Sequence, residues 1–198
     1  MVAAVILAAG RSSRMGRPKP QLRHVAADDT FVGHLIRTAQ EARLDPILVV
    51  VADGSTALAA EVERRGAKTL INVAPDRGQL SSILVGLDAA DAAGASAVMI
   101  MPVDVPLLSP AVLEAVLAAA AADDAQIVRS THAGQHGHPV LFKRSVFDEL
   151  RAADPSIGAR AVVRANPARV RDVEVNEPGV TLDIDTPEDY RRAFGRDL

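Results

Sequence analysis

Residues 2–19 read VAAVILAAGRSSRMGRPK. The first seven of these are all apolar and include valine and isoleucine, in a run too short and too evenly apolar for a surface helix. Such a run suits a strand covered on both faces. It gives way at Ala9 and Gly10 to a loop of small and basic residues ending at Lys19. A buried strand that runs at once into a small-residue loop opens a β–α unit, and the rest of the chain is read outward from it.

Three more short apolar runs, 47–51, 69–72 and 97–101, have the same character. Between and after them lie amphipathic stretches that predict helices over 31–43, 55–65, 79–93 and 111–122. Thr30 is placed to cap the first of these, whose Leu35, Ile36 and Ala39 share a face. Ser109 and Pro110 are placed to open the last. After residue 125 the rhythm changes. Strands are expected at 126–130 and 139–142, joined by a loop at 131–138 too short for a helical crossover. Short helices at 145–150 and 160–166, strands at 170–175 and 182–184, and a closing helix at 187–194 complete the pattern. The expectation is an α/β, Rossmann-like fold: a mostly parallel sheet, helices on both faces, and a small antiparallel excursion after residue 125. With no repeat, linker or composition break, residues 1–198 are expected to form a single domain.

Composition narrows the function classes. Hydrophobic residues make up 48% of 198, enough for a sizeable core. Basic and acidic residues nearly balance at 22 and 25, without the one-sided run that a nucleic-acid or membrane partner would need. Cysteine is absent, which excludes disulfides, thiolate zinc sites and cysteine nucleophiles. No signal peptide or membrane-length apolar stretch is seen, so a cytoplasmic location is expected. The chain has only three lysines, and Lys19 lies in the opening loop.

In open sheets of this kind ligands bind beyond the carboxyl ends of the strands. That rule selects the loop after the first strand, the loop after 97–101, and the chain near 182–184. In the opening loop, Gly10 and Gly16 tolerate positive φ and small residues let the backbone approach a ligand. Arg14 and Lys19 supply a planar fork and a point charge, a combination suited to a polyphosphate. The loop is expected to be exposed. It is neither a dinucleotide fingerprint nor a Walker loop, because Gly10 is followed by Arg11-Ser12 and Gly16 by Arg17-Pro18.

Asp104 stands alone after an apolar strand, between Pro102 and Pro106. A lone carboxylate at a strand's carboxyl edge suits magnesium, which takes one or two carboxylates with phosphate oxygens and water. Asn72, Gly78, Ser81 and Ser82 precede or open the helix over 79–93. The serines there serve either as caps or as ligands for a polar group. Near the C-terminus, Thr186, Pro187 and Asp189 read as a capping box. Asp183 and Asp185 are left over and alternate on an extended segment, so both point to one face. His136 and His138 have a spacing open to a metal but lack a third nitrogen or thiolate nearby. His24 and His34 are read as surface or helix-face residues.

The stretch LAAGRSSRMGRPK resembles the signature of nucleotidyltransferases that attach a nucleoside monophosphate to a phosphorylated acceptor. It is most similar to the molybdenum cofactor cytidylyltransferases, relatives of the molybdopterin-guanine dinucleotide synthases. The resemblance runs from residue 3 to about residue 192. It implies that Arg14 and Lys19 hold the triphosphate, that Ala8, Ala9 and Gly10 approach the base and phosphates, and that Asn72, Gly78, Ser81 and Ser82 lie beside the base. It implies that Asp104 and one of Asp183 and Asp185 bind Mg2+, and that His138, in Gly-His-Pro, lies on the acceptor side. The implied reaction moves CMP from CTP to the terminal phosphate of molybdenum-bearing molybdopterin, with a molybdoenzyme as possible recipient of the product. The chain departs from the family after the lysine, with Pro20-Gln21-Leu22 in place of x-Leu-Leu. Guanylyl-specific members tend to carry Gly-Gly where this chain has Ala8-Ala9-Gly10, which favours cytidine. The alternatives are a transferase using GTP or a sugar-phosphate acceptor, and a nucleotide- or cofactor-binding chaperone without turnover.

Overall fold

The structure is a computed structural model that describes residues 1–24, 29–122 and 124–198. The opening run forms β1 (Val2–Leu7), the third strand across a seven-stranded sheet. In chain order the elements are β2 (Arg23–His24), β3 (Asp29–Thr30), α1 (Phe31–Glu41), β4 (Ile47–Ala52), α2 (Thr56–Arg64), β5 (Lys68–Asn72), α3 (Gln79–Ala92), β6 (Ala97–Pro102) and α4 (Pro110–Ala122). They continue with β7 (Ile127–His132), β8 (Gln135–Lys143), α5 (Phe147–Arg151), α6 (Arg160–Ala165), β9 (Val170–Glu174) and α7 (Pro187–Phe194).

The sheet order is β5-β4-β1-β6-β8-β7-β9. β1 pairs in parallel with β4 and with β6, β4 with β5, and β7 with β9. Only β8 runs against its neighbours, so the antiparallel excursion is one reversed strand inside the sheet. The two-residue strands β2 and β3 form a separate antiparallel pair.

The period of two along β1 builds both cores. Ala4 and Ile6 face the cluster that contains Phe31, Leu35 and Ile36 of α1, Leu113 of α4 and Tyr190 of α7. Ala3, Val5 and Leu7 face the other cluster, with Ile83 and Leu87 of α3 and Phe147 of α5. Helices therefore cover both faces, as the strand composition requires. Thr30 caps α1 by accepting from the Gly33 N–H at 3.0 Å, and the Thr186–Asp189 capping box opens α7.

Two expectations are corrected. Residues 131–138 are not a loop: β7 and β8 extend to a two-residue turn at Ala133-Gly134, both with positive φ. That geometry matches strand twist and makes a tight hairpin, while the alternating polar residues of the strand ends imitate a loop. Residues 182–184 are not a strand. They follow a 3₁₀ turn at Pro178–Thr181, and the Ile184 N–H donates to the Asp104 carbonyl at 2.7 Å. Ile184 is fully buried, so the segment is pinned across the loop after β6 instead of joining a ladder.

Candidate active site

The strand order reverses about β1: β4 and β5 lie on one side, β6 on the other. Leu7 and Pro102 are register partners at the carboxyl ends of β1 and β6. The opening loop and Asp104 therefore leave the sheet side by side, at the switch point where open α/β sheets bind ligands.

Lys19 is the hub. Its backbone N–H donates to Ser12 Oγ at 3.0 Å, which folds the loop back over β1. Its ammonium contacts Asp104 Oδ2 at 3.4 Å and makes a short hydrogen bond to Asp185 Oδ1. The other Asp185 oxygen accepts from Arg14 Nη2 at 2.9 Å. Lys19 is only 10% exposed in its side chain, whereas Arg14 is 69% exposed. The expected exposed loop is thus exposed at Arg14 and buried at Lys19, because a cation flanked by two carboxylates no longer needs water. Gln21, where the chain departs from x-Leu-Leu, is exposed between the buried Pro20 and Leu22, and the departure leaves the lysine in place.

Asp185 and Asp183 have different surroundings. The Lys19 hydrogen bond, aided by the charges of Lys19 and Arg14, holds the Asp185 carboxyl below the ordinary range. Partial burial, then repulsion from Asp104 and Asp185, pushes Asp183 upward. Asp183 and Asp104 line a common cavity of about 460 Å³. Two oxygen-donor carboxylates on one cavity fit a hard divalent cation. Among the described residues, no group of three or more His, Asp or Glu converges to hold a metal. A cation here would complete its shell with ligand oxygens and water.

A smaller cavity of about 220 Å³ adjoins this one and is lined by Ala9, Gly10, Lys19, Gly78, Ser82 and Asp104 among others. Arg11 reaches across to Asp76 at 2.5 Å, tying the opening loop to the turn before α3. Gly78 has φ of +90° and ψ of 175°, a conformation essentially confined to glycine. Asn72 is buried and donates to Ser81 Oγ at 2.8 Å and Ser82 Oγ at 2.9 Å. Ser81 in turn donates to the Gly78 carbonyl at 2.8 Å. The two serines form a network with Asn72 and do not cap α3, and of the pair only Ser82 lines the cavity. Ala8 is buried toward the sheet face opposite Ala9, away from this lining.

His138 lies on the far side of the cleft, in the walls of the 460 Å³ cavity and of a third, of about 650 Å³. Burial lowers its pKa to about 4, so its ring is neutral at pH 7, and its buried Nδ1 has no hydrogen-bond partner among the described residues. The structure thus gathers Ala9, Gly10, Arg14, Lys19, Gly78, Ser82, Asp104, Asp183, Asp185 and His138 along one cleft. It leaves Ala8, Asn72 and Ser81 in supporting positions. His136 points to Asp172, at 3.5 Å. His24 is a correction: it is buried and stacks on His34 with ring centroids 3.9 Å apart. Arg160, which lines two of the cavities, was not singled out by its sequence context, since one arginine among nineteen carries no signal.

The profile of the MobA-like NTP transferase domain matches residues 4–171. The purine catabolism protein PucB of Bacillus subtilis is 31% identical, over 96% of each chain. A probable molybdenum cofactor guanylyltransferase of Mycobacterium avium is 28% identical, over 96% of this chain and 93% of its own. The crystal structure of Rv0371c from Mycobacterium tuberculosis superposes with a TM-score of 0.82 at 29% identity and 98% coverage of both chains, and a manganese complex of Rv0371c is also similar. With the cleft, its strand-end acids and its basic loop in place, the match over most of the chain identifies it as a nucleotidyltransferase belonging to the MobA-like NTP transferase family.

Proposed function

We propose that this nucleotidyltransferase moves CMP from CTP to the terminal phosphate of molybdenum-bearing molybdopterin and releases pyrophosphate. The observation that carries the reading is Lys19, held at the switch point between Asp104 and Asp185 with Arg14 at the rim. These carboxylates aim the ammonium at the crevice before a ligand arrives, so little reorganisation remains when a triphosphate enters.

An oxygen of the acceptor phosphate bonds to the α-phosphorus as the bond from that phosphorus to the β-phosphate's bridging oxygen breaks. Pyrophosphate leaves with the electron pair. The acceptor is already an anion at neutral pH, so no side chain has to remove a proton. His138, kept neutral by burial, is assigned to acceptor contact and not to proton transfer. The barrier is mainly charge repulsion and alignment, which Lys19 and Arg14 relieve by binding phosphate oxygens. Asp104 and Asp183 are the residues that would hold magnesium, which when bound supplies further neutralisation of the phosphates. Asp185 keeps Lys19 and Arg14 in register. The manganese complex of the similar Rv0371c supports a divalent cation.

Cytidine is favoured by Ala8-Ala9-Gly10, where guanylyl-specific members tend to carry Gly-Gly and of which Ala9 and Gly10 line the 220 Å³ cavity. GTP is the second reading, favoured by the name of the Mycobacterium avium relative. Steady-state kcat/KM for CTP and GTP with molybdopterin decides between them. A higher value for CTP is expected, and a GTP value equal to or above it overturns the cytidine assignment.

A further inference from the structure

The three cavities form a chain. The 220 and 460 Å³ cavities share Gly78, Pro102 and Asp104, and the 460 and 650 Å³ cavities share His138, Val140, Arg160 and Val163. Arg160 stands at the second junction, and Arg164, one turn along α6, lines only the outermost cavity. Neither side chain makes an ion pair or hydrogen bond among the described residues, although most arginines of the chain do. The one carboxylate lining the outer cavity, Asp172, is already held by Arg129 through bonds of 2.9 and 3.1 Å, with His136 3.5 Å away. Two like charges at i and i+4 on a short helix repel, and the acid that acts on Arg160, Asp183 across the 460 Å³ cavity, does so through space and forms no ion pair with it. Their placement around a concavity that continues from the reaction cleft calls for an anionic ligand.

We propose that Arg160 and Arg164 form a two-point anion clamp for the acceptor. Arg160 receives the reacting phosphomonoester, and Arg164 receives a second anionic group about one helical turn, roughly 6 Å, farther from the nucleotide. This rests on the transferase reading for the acceptor's role, and it specifies the acceptor class as an elongated phosphomonoester with an anionic distal end. Val163, between the two arginines, and Val140 supply apolar wall for the body of such a molecule. His138 adds wall at the junction.

Calorimetric titration with phenyl phosphate and with 4-carboxyphenyl phosphate tests the clamp, because the second probe adds only the distal anion. Arg160→Gln and Arg164→Gln remove the charge, keep a polar side chain and lie on exposed positions, so both variants fold. In the wild type the carboxylated probe is expected to bind about tenfold more tightly, the scale of one charge-assisted hydrogen bond. Arg164→Gln should abolish that difference, and Arg160→Gln should weaken both probes about tenfold. CTP binding, followed separately by thermal shift, should be unchanged in both variants, and saturating CTP should not displace either probe. Retention of the wild-type affinities in either variant, or displacement of the probes by CTP, overturns the clamp. If no nucleotide binds the wild type, the transferase reading fails, and the probe affinities in the variants still decide the clamp.

Discussion

Lys19 does two things at once: it neutralises Asp104 and Asp185, and it presents a cation to the crevice. Replacing it by glutamine strips the shared cation from Asp104 and Asp185 and leaves Asp185 only the exposed Arg14. Lys19→Gln should therefore lower the melting temperature and reduce turnover by about 10²–10³, the usual cost of losing a preorganised electrostatic contact. Steady-state rates together with a melting curve check both halves, and near-normal turnover would reduce Lys19 to a structural cation. The two C-terminal acids separate in the same way. Asp183→Asn should abolish metal-dependent turnover while raising the stability of the metal-free protein, since repulsion with Asp104 is relieved. Asp185→Asn should mainly raise the KM for nucleotide by loosening Lys19 and Arg14. Equal losses in kcat from both variants would contradict this division. Asp104 is legible in the sequence as an isolated charge just beyond an apolar run, and Lys19 as one of three lysines, closing the basic loop that follows the first strand. The link from Lys19 to Asp185 spans 166 positions and comes only from the fold.

At the scale of elements, α3 sets the floor of the nucleotide side, and Gly86 lets it lie close on β1. A Cβ added there would come within 2.2 Å of Val5 Cγ1, inside the core. Gly86→Ala should lower stability by about 1–3 kcal/mol, as overpacking does, and weaken nucleotide binding by shifting Gly78 and Ser82. Chemical denaturation and nucleotide titration measure the two effects, and an unchanged midpoint would mean that α3 does not rest on Val5. The β8 hairpin follows similar steric logic: a Cβ at Gly137 would meet the Val180 carbonyl at 2.3 Å. That contact lays the turn before Asp183 against β8 beside His138. The central strands were readable because burial on both faces leaves continuous apolar runs. The ends of β7 and β8 were not, because a protruding hairpin tip alternates polar residues as a loop does. Leu182 and Ile184 imitate the period of a strand, yet the hydrogen bond from Ile184 goes to the chain after β6.

Across the whole molecule, stability should fall on acidification. His24 and His138 are both lowered from 6.5 to about 4, chiefly by burial. Between those values the unfolded chain binds more protons than the folded one, so stability rises with pH across the window and is lost as pH falls from 6.5 toward 4. His24→Gln should flatten this dependence in melting curves taken from pH 4 to 7, and an identical slope would remove His24 from the account. The same burial that makes His24 titrate low hid its position, because a lone histidine after a basic loop reads as surface. The central claim concerns the cleft as a unit: strand-end acids, loop cations and the acceptor side acting on two substrates together. Pyrophosphate release, measured with CTP, molybdopterin and magnesium for the wild type and Asp104→Asn, tests it most directly. The account predicts one pyrophosphate per nucleotidylated acceptor in the wild type, and a loss of orders of magnitude in a folded Asp104→Asn. Binding of CTP without pyrophosphate release in the wild type, or full turnover in Asp104→Asn, would contradict it.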